Sequence, residues 1–460
     1  MTFASVTRAP SDRVAACVVL AVAGVVAIVS ARGSAGSWND GSRLATVESL
    51  VDRHTFAIDD SIFVRVPAPP DAAPYPPDEP FLLQHGTGDK LLINRHFYSD
   101  KSPLPAVLMA AVYQTLQTIT GLTARRQPAL FCYWLTLTSS GVAYVVAIWC
   151  IFQLGAPLRL SMPLRLLLTA SFGFATLALP YVRQVNSHIQ LLAVTAALFL
   201  CLARLAEDLR APAWSRLLAV GSLAGLGYTM DLGVGPALLG STLALVGYRC
   251  RSVSALAIAA LAAAPWVVAH HVLNYAIGGT FLPANMVSGY AGWPGSTFKP
   301  FNLTGSWKHT LPAFLLYAVK LLVGGRGFLS HNLALLLALV GFRRVLRRHV
   351  AESPEIVDAG ILCLVTWLVY AMTSNNYSGV CASIRWFVPL LAPGYFVLAV
   401  FLREQPDYQR DFVLLSAWGV IVAACMWWKG PWMKDMVPFF LPLQAAAFVS
   451  WFVFRELRGW

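Results

Sequence analysis

Long apolar runs, separated by short polar stretches, set the pattern of this chain. They lie near 13–31, 128–154, 164–182, 187–206, 253–274, 328–346, 358–375, 386–403, 411–428 and 436–454. Each approaches the ~20 apolar residues that a helix needs to cross a bilayer. A longer run, 217–248, carries Gly225, Gly227, Asp231, Gly233 and Gly235 at its middle, which predicts a tight hairpin of two short helices. Counting that hairpin as two, the pattern predicts twelve spans. Segments 103–121 and 311–325 are shorter or more polar. The first carries Gln114, Thr115, Gln117 and Thr118, and the second has Lys320 in its middle. Both read as helices lying in the interface rather than crossing it.

The first apolar run follows Arg8 and Arg13 and reads as a retained span, with a cleaved signal as the alternative. Arginines then mark orientation. Phe342-Arg343-Arg344-Val345-Leu346-Arg347-Arg348 is the strongest cytoplasmic signal. Arg204/Arg210/Arg216, Arg249/Arg251, Arg159/Arg165 and Arg455/Arg458 fall on the same side if the two interfacial segments do not cross. Both termini are then cytoplasmic. All seven lysines (Lys90, Lys101, Lys299, Lys308, Lys320, Lys429 and Lys434) face the exterior or periplasm, with two large loops, 32–127 and 275–327. The first loop includes a Pro-rich stretch, 67–77, of polyproline character. The organisation expected is one integral membrane domain, 1–460, in the cytoplasmic (inner) membrane.

Composition agrees and removes other classes. Of 460 residues, 57% are hydrophobic and 12% charged, against about 25% charged in a typical soluble domain. Too few charges exist to cover a soluble surface, and the apolar excess excludes disorder. The net charge of +12 is largely an orientation signal, and no nucleic-acid partner is expected. Eight cysteines include no CxxC pair and read as small packing residues. The fold class is all-α: a polytopic membrane protein of about 12 transmembrane helices plus interfacial helices in the two outer loops.

Five features fall on the outer face. The first is Asn39-Asp40-Gly41-Ser42-Arg43, ahead of a helix expected from Leu44 to Arg53. There Asp40 reads equally as a helix cap. The second is Asn94 to Pro105, with Asp100 and Lys101 before a helix-starting proline. The third is Tyr181 to His188, which packs Arg183, Gln184, Asn186 and His188 into a short loop. The fourth is Asp231, a carboxylate within an apolar run, readable as functional or as a turn former. The fifth is Asn375 to Phe387, where Arg385 reads as an interface anchor or as a phosphate-binding fork. Arg326 and His331 are weaker candidates of that kind. No phosphate-cradling Gly-rich loop followed by Lys-Ser/Thr is present.

Asp40 and Arg43 after a first span, the helix Leu-Ala-Thr-Val-Glu-Ser-Leu-Val, and Phe-Tyr-Ser-Asp-Lys-Ser-Pro-Leu entering a short helix form a familiar set. It resembles the polyprenyl-phosphate-sugar-dependent membrane glycosyltransferases of the GT-C fold, such as the lipid A aminoarabinose transferases and the protein O-mannosyltransferases. The resemblance is specific over roughly 1–125 and architectural beyond. It implies an inverting transfer of sugar from a polyprenyl-phosphate donor to a lipid, glycan or protein acceptor on the outer face. Asp40 matches the catalytic carboxylate of the first loop, and Asp100 and Lys101 match an acid–Lys pair. Arg43, Arg183, His188 and Arg385 complete the candidate donor-phosphate and substrate residues, with Asn186, Asp231 and Arg326 as additions. Ser102 stands where the family has the first proline of a pair, and Asn186-Ser187-His188 stands where it often has an acidic motif. No tightly held cofactor or metal is expected, although Asp40 with His188 could bind a divalent ion. A transporter or lipid flippase, or a non-catalytic membrane scaffold, remains open on the residues alone.

Overall fold

In a computed structural model of the chain, residues 10–68, 72–207, 213–296, 310–433 and 435–457 are described. Arg8, Arg210, Lys299, Lys308, Lys434, Arg458 and positions 69–71 of the Pro-rich stretch lie outside them.

Every apolar run becomes helix. The order is α1 (Pro10–Ser30), α2 (Trp38–Arg53), α3 (Pro80–His85), a hairpin of β1 (Lys90–Ile93) and β2 (His96–Ser99), then α4 (Pro103–Thr120). Next come α5 (Pro128–Thr136), a π turn (Leu137–Gly141), α6 (Val142–Leu154), α7 (Met162–Phe174), α8 (Ala178–Tyr181) and α9 (Ser187–Ala206). The hairpin is α10 (Trp214–Met230) and α11 (Gly235–Cys250), followed by α12 (Val253–Gly278), α13 (Leu311–Leu322), α14 (Leu335–Arg347) and α15 (Ser353–Thr373). A 3-10 segment (Arg385–Leu390) leads into α16 (Leu391–Glu404), then α17 (Gln409–Lys429) and α18 (Phe440–Glu456). Among the described residues, 7 helices are long and apolar enough to cross a membrane. The other five expected spans fall on α7, α10, α11, α14 and α18, which run from 13 to 17 residues.

Run 164–182 is not one helix. It breaks at 175–177, where the Leu177 N–H donates to Asn332 Oδ1 at 3.0 Å and Thr176 Oγ1 bonds back to the Phe172 carbonyl. The hairpin expected at 217–248 is present, and small residues bring it against α12. A Cβ at Gly225 would stand 2.6 Å from the Ala263 carbonyl oxygen, and one at Gly221 would collide with that of Ala259. This Gly-x-x-x-Gly face gives close backbone approach where apolar surface alone supplies little drive for association.

α4 lies against α2. Met109 and Tyr113 of α4 share a core with Leu44, Val47, Phe63 and Phe131, separate from the main bundle core. The two helices thus form a cap over one end of the bundle. Arg249 with Glu355 and Arg403 with Glu352 pair at the other end.

Candidate active site

α2 begins with a reciprocal cap. The N-cap is Ser37, whose side chain accepts from the Asn39 N–H at 3.1 Å. Asp40 is therefore not the cap itself but lies in the first turn, where a carboxylate suits the helix dipole. Its two oxygens accept from Ser37 Oγ at 2.6 Å and from the Gly36 N–H at 2.7 Å. Asp40 is 1% exposed, and burial pushes its pKa up to about 6 against the downward pull of those hydrogen bonds.

One turn on, Arg43 points into a second environment. It is 5% exposed, and its Nη2 donates to Ser187 Oγ, at the start of α9, at 2.8 Å. Nε and Nη1 are buried with no hydrogen-bond partner among the described residues. Burial pulls its pKa down to about 10, so it stays charged at neutral pH, and Asp100, Asp89 and Asp231 pull the other way.

The β-hairpin supplies the acids. Its two-residue turn, Asn94-Arg95, has φ of 50° and 69°, the left-handed pair that matches strand twist. The register pairs Lys90 with Ser99. Asp89 and Asp100, one residue further out on each strand, are therefore brought together. Two carboxylates side by side repel, and Lys101 lies between them, with Nζ 2.7 Å from Asp89 Oδ2 and 2.8 Å from Asp100 Oδ2. A relay fixes this limb to α2: the Lys101 N–H donates to Ser99 Oγ at 3.1 Å, Ser99 and Ser42 share a hydroxyl bond of 2.6 Å, and Ser42 Oγ donates to the Asp89 carbonyl. Asp100 Oδ1 remains buried without a hydrogen-bond partner among the described residues, and burial raises the pKa of Asp100.

The bundle supplies the rest. Asp231 turns the α10–α11 hairpin, its Oδ1 accepting from the Gly233 and Val234 N–H groups at 2.9 and 3.0 Å. The turn reading of Asp231 is thus correct. Its Oδ1 also accepts from Tyr370 OH at 2.6 Å, and its Oδ2 lies 3.5 Å from His188 Nδ1. Tyr370 stacks on Trp386, with centroids 4.4 Å apart. Arg385, the next residue back, has its guanidinium over the Trp432 ring and its Nε buried without a partner. The charge of Arg385 acts on both Arg43 and His188. Asn186 caps α9, accepting from the His188 N–H at 2.8 Å.

The site thus joins Arg43, Asp100, Lys101, His188, Asp231 and Arg385 from five chain segments. It leaves out Asp40, whose two carboxylate oxygens are taken up by Ser37 Oγ and the Gly36 N–H, and Arg183, whose Nη1 donates to the Trp428 carbonyl at 3.0 Å and whose guanidinium lies over the Trp427 ring. It also leaves out Arg326, which donates to the Gly379 carbonyl at 3.3 Å. Those two arginines anchor loops. Asp89 and Tyr370 were not anticipated: Asp89 sits in a polar loop, and Tyr370 inside an apolar run. The hairpin register about Asn94-Arg95 was the signal for Asp89. Among the described residues no group of three or more His, Cys, Asp or Glu side chains is arranged to hold a metal ion.

An apolar groove of about 660 Å³ opens between α14, α15 and α16. Phe387 and Leu390 line it near Arg385, and Phe342, Leu346 and Val357 line it toward the far end of the bundle.

No family model matches the chain, and no curated protein matches it. Solved structures do. ArnT from Cupriavidus metallidurans in the apo state aligns with a TM-score of 0.51 at 15% identity, covering 89% of this chain and 63% of that one. The same protein bound to undecaprenyl phosphate aligns with a TM-score of 0.51 at 14% identity, covering 97% of this chain and 76% of that one. This chain accordingly spans 63% of the length of the apo chain. ArnT is a lipid A aminoarabinose transferase of the GT-C fold, and the fold expected from the resemblance is the fold found.

Proposed function

We propose that this protein is a membrane glycosyltransferase that moves a sugar from a polyprenyl-phosphate donor to a hydroxyl of a lipid, glycan or protein acceptor, at the outer face of the membrane. The observation that carries the reading is the cationic cluster of buried Arg43 with half-buried Lys101 and Arg385, the last of these standing two residues before Phe387 of the apolar groove. Buried N–H groups of Arg43 and Arg385 have no partner among the described residues, and a guanidinium fork matches phosphate oxygens. The groove suits a polyprenyl tail running down from that phosphate. The neighbour bound to undecaprenyl phosphate supports the same donor class.

In the reaction, the bond between the anomeric carbon and the phosphate oxygen breaks as the acceptor oxygen bonds to that carbon from the opposite side. The bonding pair leaves with polyprenyl phosphate, and the acceptor proton passes to a carboxylate. Positive charge builds on the sugar and negative charge on the leaving phosphate, where fixed cations stabilise it. Asp40 is the base. With a pKa of about 6 it is ionised at neutral pH and still a competent proton acceptor. Lys101 and Arg43 hold the phosphate, and Asp89 and Asp100 hold Lys101.

Mass spectrometry of membrane glycolipids and glycans, with and without the gene, tests this. A sugar-bearing species should vanish on deletion and return with the wild-type gene but not with Asp40→Asn. Identical profiles with and without the gene would remove the reading.

A further inference from the structure

Ser102 is the N-cap residue of α4, yet its side chain makes no capping hydrogen bond. The hydroxyl is used elsewhere. Ser102 Oγ donates to the Thr229 carbonyl at 2.5 Å, near the end of α10, and lies 3.4 Å from His270 Nδ1 on α12. With its one proton on Thr229, the hydroxyl can only accept from His270, which fixes that ring as the Nδ1–H tautomer. The other ring nitrogen agrees: His270 Nε2 faces the Asn274 Nδ2 donor at 3.3 Å. Asn274 also donates to the His270 carbonyl at 2.8 Å, and its Oδ1 accepts from the Ala284 N–H at 3.1 Å. Ala284 in turn packs on Leu91 and Ile93 of the β-hairpin.

These bonds close a ring around the cluster. Ser102 follows Lys101 directly, and Thr229 stands two residues before Asp231. We infer that Ser102 and His270 are positioning residues: together they lock the limb carrying Asp100 and Lys101 to the limb carrying Asp231, so that both face one phosphate. The tether rests on the reading of the cluster as a phosphate pocket only for its purpose, not for its existence. Its chemistry requires a hydroxyl at residue 102. Alanine loses no helix cap there but leaves the Thr229 carbonyl and His270 Nδ1–H without their partner.

The test uses the full-length protein in detergent or nanodiscs, as wild type, Ser102→Ala and Ser102→Thr. The first readout is the rate at which a small amine-acylating reagent labels Lys101, followed by mass spectrometry, with the exposed Lys320 as internal control. The tether predicts that Lys101 labels several-fold faster in Ser102→Ala and at the wild-type rate in Ser102→Thr, with Lys320 unchanged in both. The second readout is turnover of a polyprenyl-phosphate sugar. Displacing a positioned cation by about 1 Å costs up to roughly a hundredfold, so kcat should fall in Ser102→Ala more than KM for the donor rises, and Ser102→Thr should restore it. An unchanged Lys101 labelling rate in Ser102→Ala overturns the inference. Faster labelling in a protein whose wild type turns over no such donor upholds the tether and removes the functional reading instead.

Discussion

The surroundings of Asp40 set its place in the fold against the role of base proposed for it. It closes the first turn of α2, and burial holds its pKa near 6. As a base it must be ionised, so turnover should fall as the pH drops below about 6, with the limb absent from any residual activity of Asp40→Asn. For folding the sign is reversed. The raised pKa makes the protonated carboxyl the form favoured by the fold, so its contribution is full below the ordinary value of 3.8 and is lost as pH rises through about 6. Asp40→Asn should therefore keep or raise the melting temperature at pH 8 while abolishing turnover, which separates chemistry from stability. Arg43→Lys keeps the charge but not the fork. Losing a charged hydrogen bond of ~1.5–3 kcal/mol predicts turnover lower by about tenfold to a hundredfold, measured at saturating donor. Most of the cluster was legible from residue type and sidedness together, because a carboxylate or guanidinium near an apolar run needs a partner. Arg183 and Arg326 satisfied the same rule by binding main-chain carbonyls, and sequence does not separate a lipid phosphate from a carbonyl as the partner. Asp89 was hidden for the opposite reason, since one more acid in a polar loop is unremarked until the hairpin register sets it beside Asp100.

At the scale of elements, apolar run length located the helices, and glycine clustering located the α10–α11 turn. The break between α7 and α8 was not legible, because the group that satisfies the Leu177 N–H is Asn332, far along the chain. Local periodicity cannot register such a partner. The same dependence on distant contact governs α10. Gly221→Val would drive a side chain into the Ala259 carbonyl, and overpacking of this kind costs about 1–3 kcal/mol. A lowered melting temperature in detergent is expected. Because α10 also carries Thr229, Lys101 should label faster in that variant too. Gly240, at which an added Cβ meets nothing within 4 Å, offers the control: Gly240→Ala should melt at or above the wild-type temperature.

For the whole molecule, the cap of α2 and α4, the hairpin, the α9 start and the Arg385 segment meet at one end of the bundle, and the groove runs between α14, α15 and α16. On the proposed function, the cluster takes the donor phosphate and the apolar groove takes its lipid tail. Leu364 lines the slot and is 50% exposed, so Leu364→Trp narrows it without disturbing the buried core. KM should rise for a long-chain polyprenyl donor and stay unchanged for a short-chain one, compared in the same detergent. Equal effects on both donors would separate the groove from the tail.

The central claim is that the Arg43–Lys101–Arg385 end of the molecule accepts polyprenyl phosphate as a leaving group. Its most direct measurement is release of polyprenyl phosphate from a defined polyprenyl-phosphate sugar in proteoliposomes, quantified by mass spectrometry beside the glycosylated acceptor extracted from the native membrane. Wild type should release the lipid phosphate and form the sugar-bearing product in equal amounts, and Asp40→Asn should do neither while still binding the donor. Undiminished release by Asp40→Asn, or none by the wild type across the available donor sugars, would contradict the account.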